Sequence, residues 1–125
     1  MLQRGDPERA RILLREVLDA APQRATAWAA YGAVLDLVDS EDQAARAFAR
    51  GLELHPGHHG LRLNLARFHL RHGRYEEVAR ILQELRRQDP EVPAVYQMLA
   101  DLARSRGREV ESQLWTTEFL RRSGR

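Results

Sequence analysis

The chain has 125 residues, enough for a single domain that buries about two thirds of its unfolded surface. With 43% hydrophobic and 30% charged residues it is globular, not disordered, and without cysteine it has no disulfide or thiolate–metal chemistry, so the redox compartment stays open. The formal net charge is +2 and every one of the 20 basic residues is Arg, a uniformity that reads as the base composition of the source genome and not as a phosphate-binding face.

In chain order, Asp6-Pro7 supplies an N-cap and a first-turn proline for a helix whose apolar stripe is Ala10, Leu13, Leu14, Val17 and Leu18 and which ends before Pro22. From Ala25 to Pro56 the pattern is two short helices joined by a turn at Asp39 and Ser40. Trp28, Tyr31 and Leu35 share one face with Gly32, and Ala44, Phe48 and Gly51 set a ring between two small residues on the next helix. Ser40 with Gln43 predicts a capping box at the start of that second helix. His58 to Pro90 repeats the plan with Leu61, Leu65 and Phe68, a turn at Gly73, then Tyr75, Val78, Ile81, Leu82 and Leu85. The last stretch starts a helix at Pro93, presents Tyr96, Leu99 and Ala100, turns at Gly107 and closes with Val110, Leu114, Phe119 and Leu120. Ser112 and Thr116 stand at apolar positions there, as expected of the polar outer face of an end repeat. Trp115 is expected to cover that end or to meet a further helix.

Pro22, Pro56 and Pro90 stand 34 residues apart, and the same step links Gly32, Ala66 and Ala100, then Asp39, Gly73 and Gly107, then Leu14, Phe48 and Leu82. A fixed period of this size is the signature of a stacked repeat. The unit with Trp28, Tyr31-Gly32, Leu35, Ala44, Phe48, Gly51 and Pro56 resembles the tetratricopeptide repeat family. Arg62 stands where that family has a large aromatic residue, so Leu61 is expected to take over its packing. The resemblance implies an all-α, right-handed superhelix (α-solenoid) of stacked antiparallel helix pairs. Its parts are a leading second-helix half-repeat (1–22), repeats at 25–58 and 59–92, and a terminal repeat at 93–125. The leading helix lacks its first-helix partner in this register, so the chain is expected to be a piece of a longer repeat protein, the alternative being a chain that begins with a lone docking helix.

Signals for chemistry are weak. His55, His58 and His59 lie beside Pro56-Gly57, and His69 and His72 are one turn apart, but no carboxylate completes a ligand set. They are read as a polar loop and, at His69, a half-buried packing residue. No metal, cofactor, nucleophile elbow or phosphate loop is expected, and therefore no enzyme activity within the chain. The arginines run along every helix and are offset by Asp and Glu, apart from Arg86-Arg87 and Arg121-Arg122, so no nucleic-acid partner is expected. No apolar run approaches the length of a membrane span, and none reads as a signal peptide. The expected location is cytoplasmic, or periplasmic if the chain belongs to a longer exported protein.

The resemblance further places the first helix of each pair on a concave wall that grips a peptide or a partner helix. Carried over by position, that wall is Thr26, Ala29, Ala33, Asp36 and Leu37, then Leu63, Asn64, Arg67, Leu70 and Arg71, then Ala94, Gln97, Met98, Asp101 and Arg104. Asn64 matches the family's backbone-gripping Asn. The basic clamp of the chaperone-tail subfamily is missing, because Ala29, Ala33, Ala94 and Met98 stand at its positions. What remains suits a ligand of mixed apolar and acidic character. The implied function is a non-enzymatic protein–protein interaction module of a bacterial scaffold or assembly factor. The alternative is a substrate-docking segment of a larger enzyme, since the closing stretch also resembles repeats that follow a metalloprotease domain, and similar repeats occur in pilus-assembly proteins and before transferase domains. Uncovered Leu13, Leu14 and Val17 suggest a weak homodimer.

Overall fold

A computed structural model describes residues 6–124. Among them the chain is an all-α helical repeat of seven helices with no strand. These are α1 (Pro7–Ala20), α2 (Ala25–Leu37), α3 (Glu41–Leu54), α4 (His59–Arg71), α5 (Tyr75–Gln88), α6 (Pro93–Ser105) and α7 (Glu109–Ser123). Two compact units divide within α4, the first ending at Phe68 and the second beginning at His69.

In the first unit α2 packs against both α1 and α3. Three residues join α2 to α3, which makes the pair antiparallel. Leu18, Tyr31, Leu35, Ala44, Phe48, Leu61 and Phe68 are buried in one core, with Leu14, Trp28 and Leu65 packed against it. The Phe48 and Phe68 rings lie 5.4 Å apart, centroid to centroid. Gly32 is obligatory at this contact: a Cβ there would come within 2.8 Å of the Phe48 ring. Gly51 does the same one face away, where a Cβ would meet Trp28 Cβ at 2.8 Å and Leu61 Cδ2 at 2.9 Å. Leu61 is fully buried, in keeping with its expected role beside Arg62.

In the second unit α6 packs against α5 and α7. Val78, Leu82, Leu85, Val95, Tyr96 and Leu99 are buried. Ser112 corrects the expectation of a polar outer face. It is 2% exposed and its hydroxyl donates to the Ala100 carbonyl at 3.0 Å. Serine fits because the apolar column it replaces faces a helix backbone, where a small side chain with a donor can be satisfied. Thr116 likewise donates back into its own helix, to the Ser112 carbonyl at 2.9 Å. Of the closing apolar residues, Val110, Leu114 and Leu120 are exposed and only Phe119 is half-buried.

The turns repeat as faithfully as the cores. Asp39, Gly73 and Gly107 all have positive φ, at 60°, 73° and 74°. Each is followed by a backbone N–H that reaches back five residues, Ser40 to Leu35, Arg74 to His69 and Arg108 to Ala103, at 2.9, 3.0 and 2.8 Å. Asp39, Gly73 and Gly107 also donate to the carbonyls of Asp36, Leu70 and Arg104. This is the Schellman closure, which satisfies the last carbonyls of a helix through one left-handed residue.

Two expectations about helix 1 and helix 3 need adjustment. Asp6 caps α1 through Oδ1, accepting from the Arg9 N–H at 3.2 Å, as the sequence suggests. Ser40 is at the N-cap of α3, but its side chain makes no capping bond, so the capping box with Gln43 does not form. On α1, Ile12, Leu13 and Val17 are exposed, whereas Leu14 packs onto the core and is not part of an uncovered face.

Two substitutions test this account. Gly32→Leu should lower the free energy of unfolding by about 1–3 kcal/mol through overpacking against Phe48, while Gly57→Ala, which adds a Cβ into open space, should leave the urea midpoint almost unchanged. Asp39→Gly should raise stability by about 0.5–1 kcal/mol, because glycine enters the left-handed region without the Cβ clash that aspartate retains.

Candidate functional site

The first helix of each repeat is pinned by one recurring bond. Trp28 Nε1–H donates to the Pro22 carbonyl at 2.7 Å, Arg62 Nε–H to Pro56 at 3.1 Å, and the Tyr96 hydroxyl to Pro90 at 2.6 Å. Each spans six residues, from the preceding loop to the first turn of the helix. The three side chains share little but a flat apolar body with a donor at its end, so Arg62 substitutes for an aromatic residue on physical grounds. The bond fixes the rotation of α2, α4 and α6 and so decides which faces they present.

The loop histidines join this framework. His55 Nε2 hydrogen-bonds the Gln23 carbonyl at 2.5 Å, and His58 Nδ1 accepts from the Leu61 N–H at 3.1 Å at the start of α4. Among the described residues no group of three or more His, Asp or Glu is placed to hold a metal. His69 is half-buried, and its Nδ1 accepts from Arg74 Nε–H at 2.9 Å. Burial lowers its pKa from the usual histidine value, and the neighbouring Arg74 and His72 lower it further, against an opposing pull from Glu77.

The residues predicted for the partner-binding wall fall into three groups. In the first unit Ala29 and Asp36 are buried, the latter at 6% exposure, while Ala33, Leu63 and Asn64 are half-buried and Arg67 is exposed. Asn64 is tied to its own helix, donating to the Gly60 carbonyl at 2.9 Å and accepting from Arg67 Nη1–H at 3.2 Å. In the second unit Met98 is buried, Leu70 and Asp101 are half-buried, and Arg71, Gln97 and Arg104 are exposed. Arg104 pairs with Asp101 at 3.1 Å.

Sequence reasoning missed the other side of α2. Arg15, Leu18 and Asp19 of α1, Pro22, Trp28, Tyr31 and Leu35, and Gln43, Arg46, Ala47 and Arg50 of α3 surround a cleft of about 600 Å³. Arg15 Nη1 is 3.5 Å from the Tyr31 hydroxyl and its Nε is 3.5 Å from Asp19. The available signal was the recurrence of Arg on one face of α3 at positions 46 and 50, one turn apart.

The fold is that of an all-α helical-repeat protein. A family model for the tetratricopeptide repeat matches residues 40–102, half of the chain, and the chain belongs to that family. Repeats of this family are in general protein–protein interaction modules. A solved structure described as a functional characterization of Pseudomonas aeruginosa PilF is 25% identical in sequence, with a TM-score of 0.78. The match covers 95% of this chain and 55% of that one, so this chain spans little more than half of its length. No curated protein matches the chain. No helix among the described residues is long and apolar enough to cross a membrane.

The His69 environment carries a pH prediction. With its folded pKa lowered, the unfolded chain takes up the proton first, so stability is fully present above the ordinary histidine pKa of about 6.5 and is lost as pH falls toward the lower folded value. The urea midpoint should therefore drop between about pH 8 and pH 5.5, and His69→Gln should reduce that drop. An unaltered drop in the variant would remove His69 as its source.

Proposed function

We propose that this chain is a non-enzymatic interaction module that holds a peptide or a partner helix along the exposed faces of its first helices. It would act as part of a bacterial scaffold or assembly factor, a setting supported by the likeness to a bacterial repeat protein. The observation that carries the reading is Asn64. Its amide is held by Gly60 and Arg67, half-buried and pre-oriented, with a second N–H left for a ligand carbonyl. Holding a polar group in place before binding lowers the entropy lost on association. Leu63 offers an apolar contact beside it, and the Arg67 guanidinium offers a partner for a carboxylate. The second unit, taken by itself, exposes Gln97 and Arg104 on α6.

The test is selection of binders from a random peptide display library against the full chain. Selected peptides should combine apolar and acidic residues, and Asn64→Ala with Arg67→Glu should weaken them about tenfold or more. Binders indifferent to changes at Asn64, Arg67 and Arg104 would overturn the groove reading.

A further inference from the structure

The cleft on the opposite side of α2 is lined by residues distinct from those of the first-helix wall. Its floor is aromatic and apolar, with Trp28, Tyr31, Leu18 and Leu35. Its walls are basic: Arg15 on α1 and Arg46 and Arg50 on α3 face it, against the single carboxylate of Asp19. Arg50 is paired with Glu53 at 2.6 Å, Arg15 makes only the long contacts to Tyr31 and Asp19, and Arg46 makes no ion pair or hydrogen bond among the described residues.

The chain contains its own comparison, two periods along. The places of Leu18, Pro22, Trp28 and Ala47 in the first unit correspond to Arg86, Pro90, Tyr96 and Trp115 in the second. There Trp115 lies 5.9 Å from the Tyr96 ring, Arg86 sits 5.2 Å over Trp115, and Arg122 sits 4.0 Å over Tyr96. Arg122 also donates to the Pro90 carbonyl at 2.9 Å and pairs with Glu118, which holds that carboxyl below the usual range. The second unit thus covers its aromatic floor with its own side chains. In the first unit Ala47, Leu18 and Leu54 stand at the places of Trp115, Arg86 and Arg122, and Trp28 is left half-buried where Tyr96 is 1% exposed.

We infer that this cleft receives an acidic segment of a partner protein carrying an aromatic side chain, which stacks on Trp28 beside Ala47 while flanking carboxylates meet Arg15, Arg46 and Arg50. The aromatic residue follows from the floor and the cleft's size, since ring pairs gain from offset or edge contacts beyond burial alone. The carboxylates follow from the charge balance, because guanidinium forks bind them in two-point geometry. A basic segment is disfavoured by the same three arginines.

The probe is a fluorescein-tagged synthetic peptide with a central tryptophan between pairs of glutamates, titrated with the full chain and followed by anisotropy at low ionic strength. Saturable binding is expected, weakening as salt rises. Arg46→Glu, an exposed change that should leave the circular dichroism spectrum intact, should weaken it about tenfold or more. Ala47→Trp should do the same by filling the space, and Arg46→Glu decides alone if that variant does not fold. The proposal is overturned by no binding, by equal binding of peptides with alanine for tryptophan or glutamine for glutamate, or by indifference to Arg46→Glu. Loss through Arg67→Glu instead would assign the peptide to the first-helix wall and equally overturn it.

Discussion

The contact of the Phe48 ring with the bare backbone at Gly32 is the constraint on which the first unit depends. It lets α2 and α3 approach so closely that a single added carbon would lie 2.8 Å from the ring. Phe48 is then wedged between α2 and Phe68 of the next helix, so one side chain joins three helices. Close packing of this kind supplies much of the dispersion energy of a small core, and it fails when either partner changes size. In the second unit Ala100 and Thr116 stand at these two places, and Ser112, in the column of Ala44, donates to the Ala100 carbonyl.

Around these contacts, the chain handles its polar groups locally. Most ion pairs join Arg to Asp or Glu three residues away on one exposed helix, as in Arg11 with Glu8, Arg80 with Glu77 and Arg87 with Glu84. A separation of three residues, like one of four, brings side chains together on a helix surface. Such pairs contribute little to stability. Their effect is to neutralise the arginines locally, whereas Arg46 lines a cleft and forms no ion pair among the described residues. Buried polar side-chain atoms are all satisfied among the described residues, including those of Asp36 and Ser112.

The two faces of α2 illustrate how one short helix can serve two surfaces. Trp28, Tyr31 and Leu35 point to the side flanked by α1 and α3, and the bond from Trp28 to Pro22 fixes that orientation. Ala29, Ala33 and Asp36 are carried on another side, Ala29 and Asp36 buried and Ala33 half-buried. A rotation of the helix by one residue would exchange these roles, so the Pro22, Pro56 and Pro90 carbonyls act as the reference from which the surfaces are set.

Much of this was legible in the residues alone. The 34-residue period of Pro22, Pro56 and Pro90, the small column through Gly32, and the turn column Asp39, Gly73 and Gly107 specify helices, turns and close contacts, because each depends on local backbone geometry or on a missing side chain. The burial of Leu61 was legible too, since burial follows the apolar stripe, but the anchor bond to Pro56 is made by Arg62 itself. Other features depend on which neighbour a side chain meets. Serine at 112 reads as a surface residue until the Ala100 carbonyl is seen opposite it, and Asp36 reads as a groove residue until its burial is known. Nothing in the local pattern shows that Arg15 on α1 and the pair Arg46 and Arg50 on α3 flank one cleft. Such convergence is a property of packing, because residues distant in sequence acquire a common environment only when their helices are brought side by side.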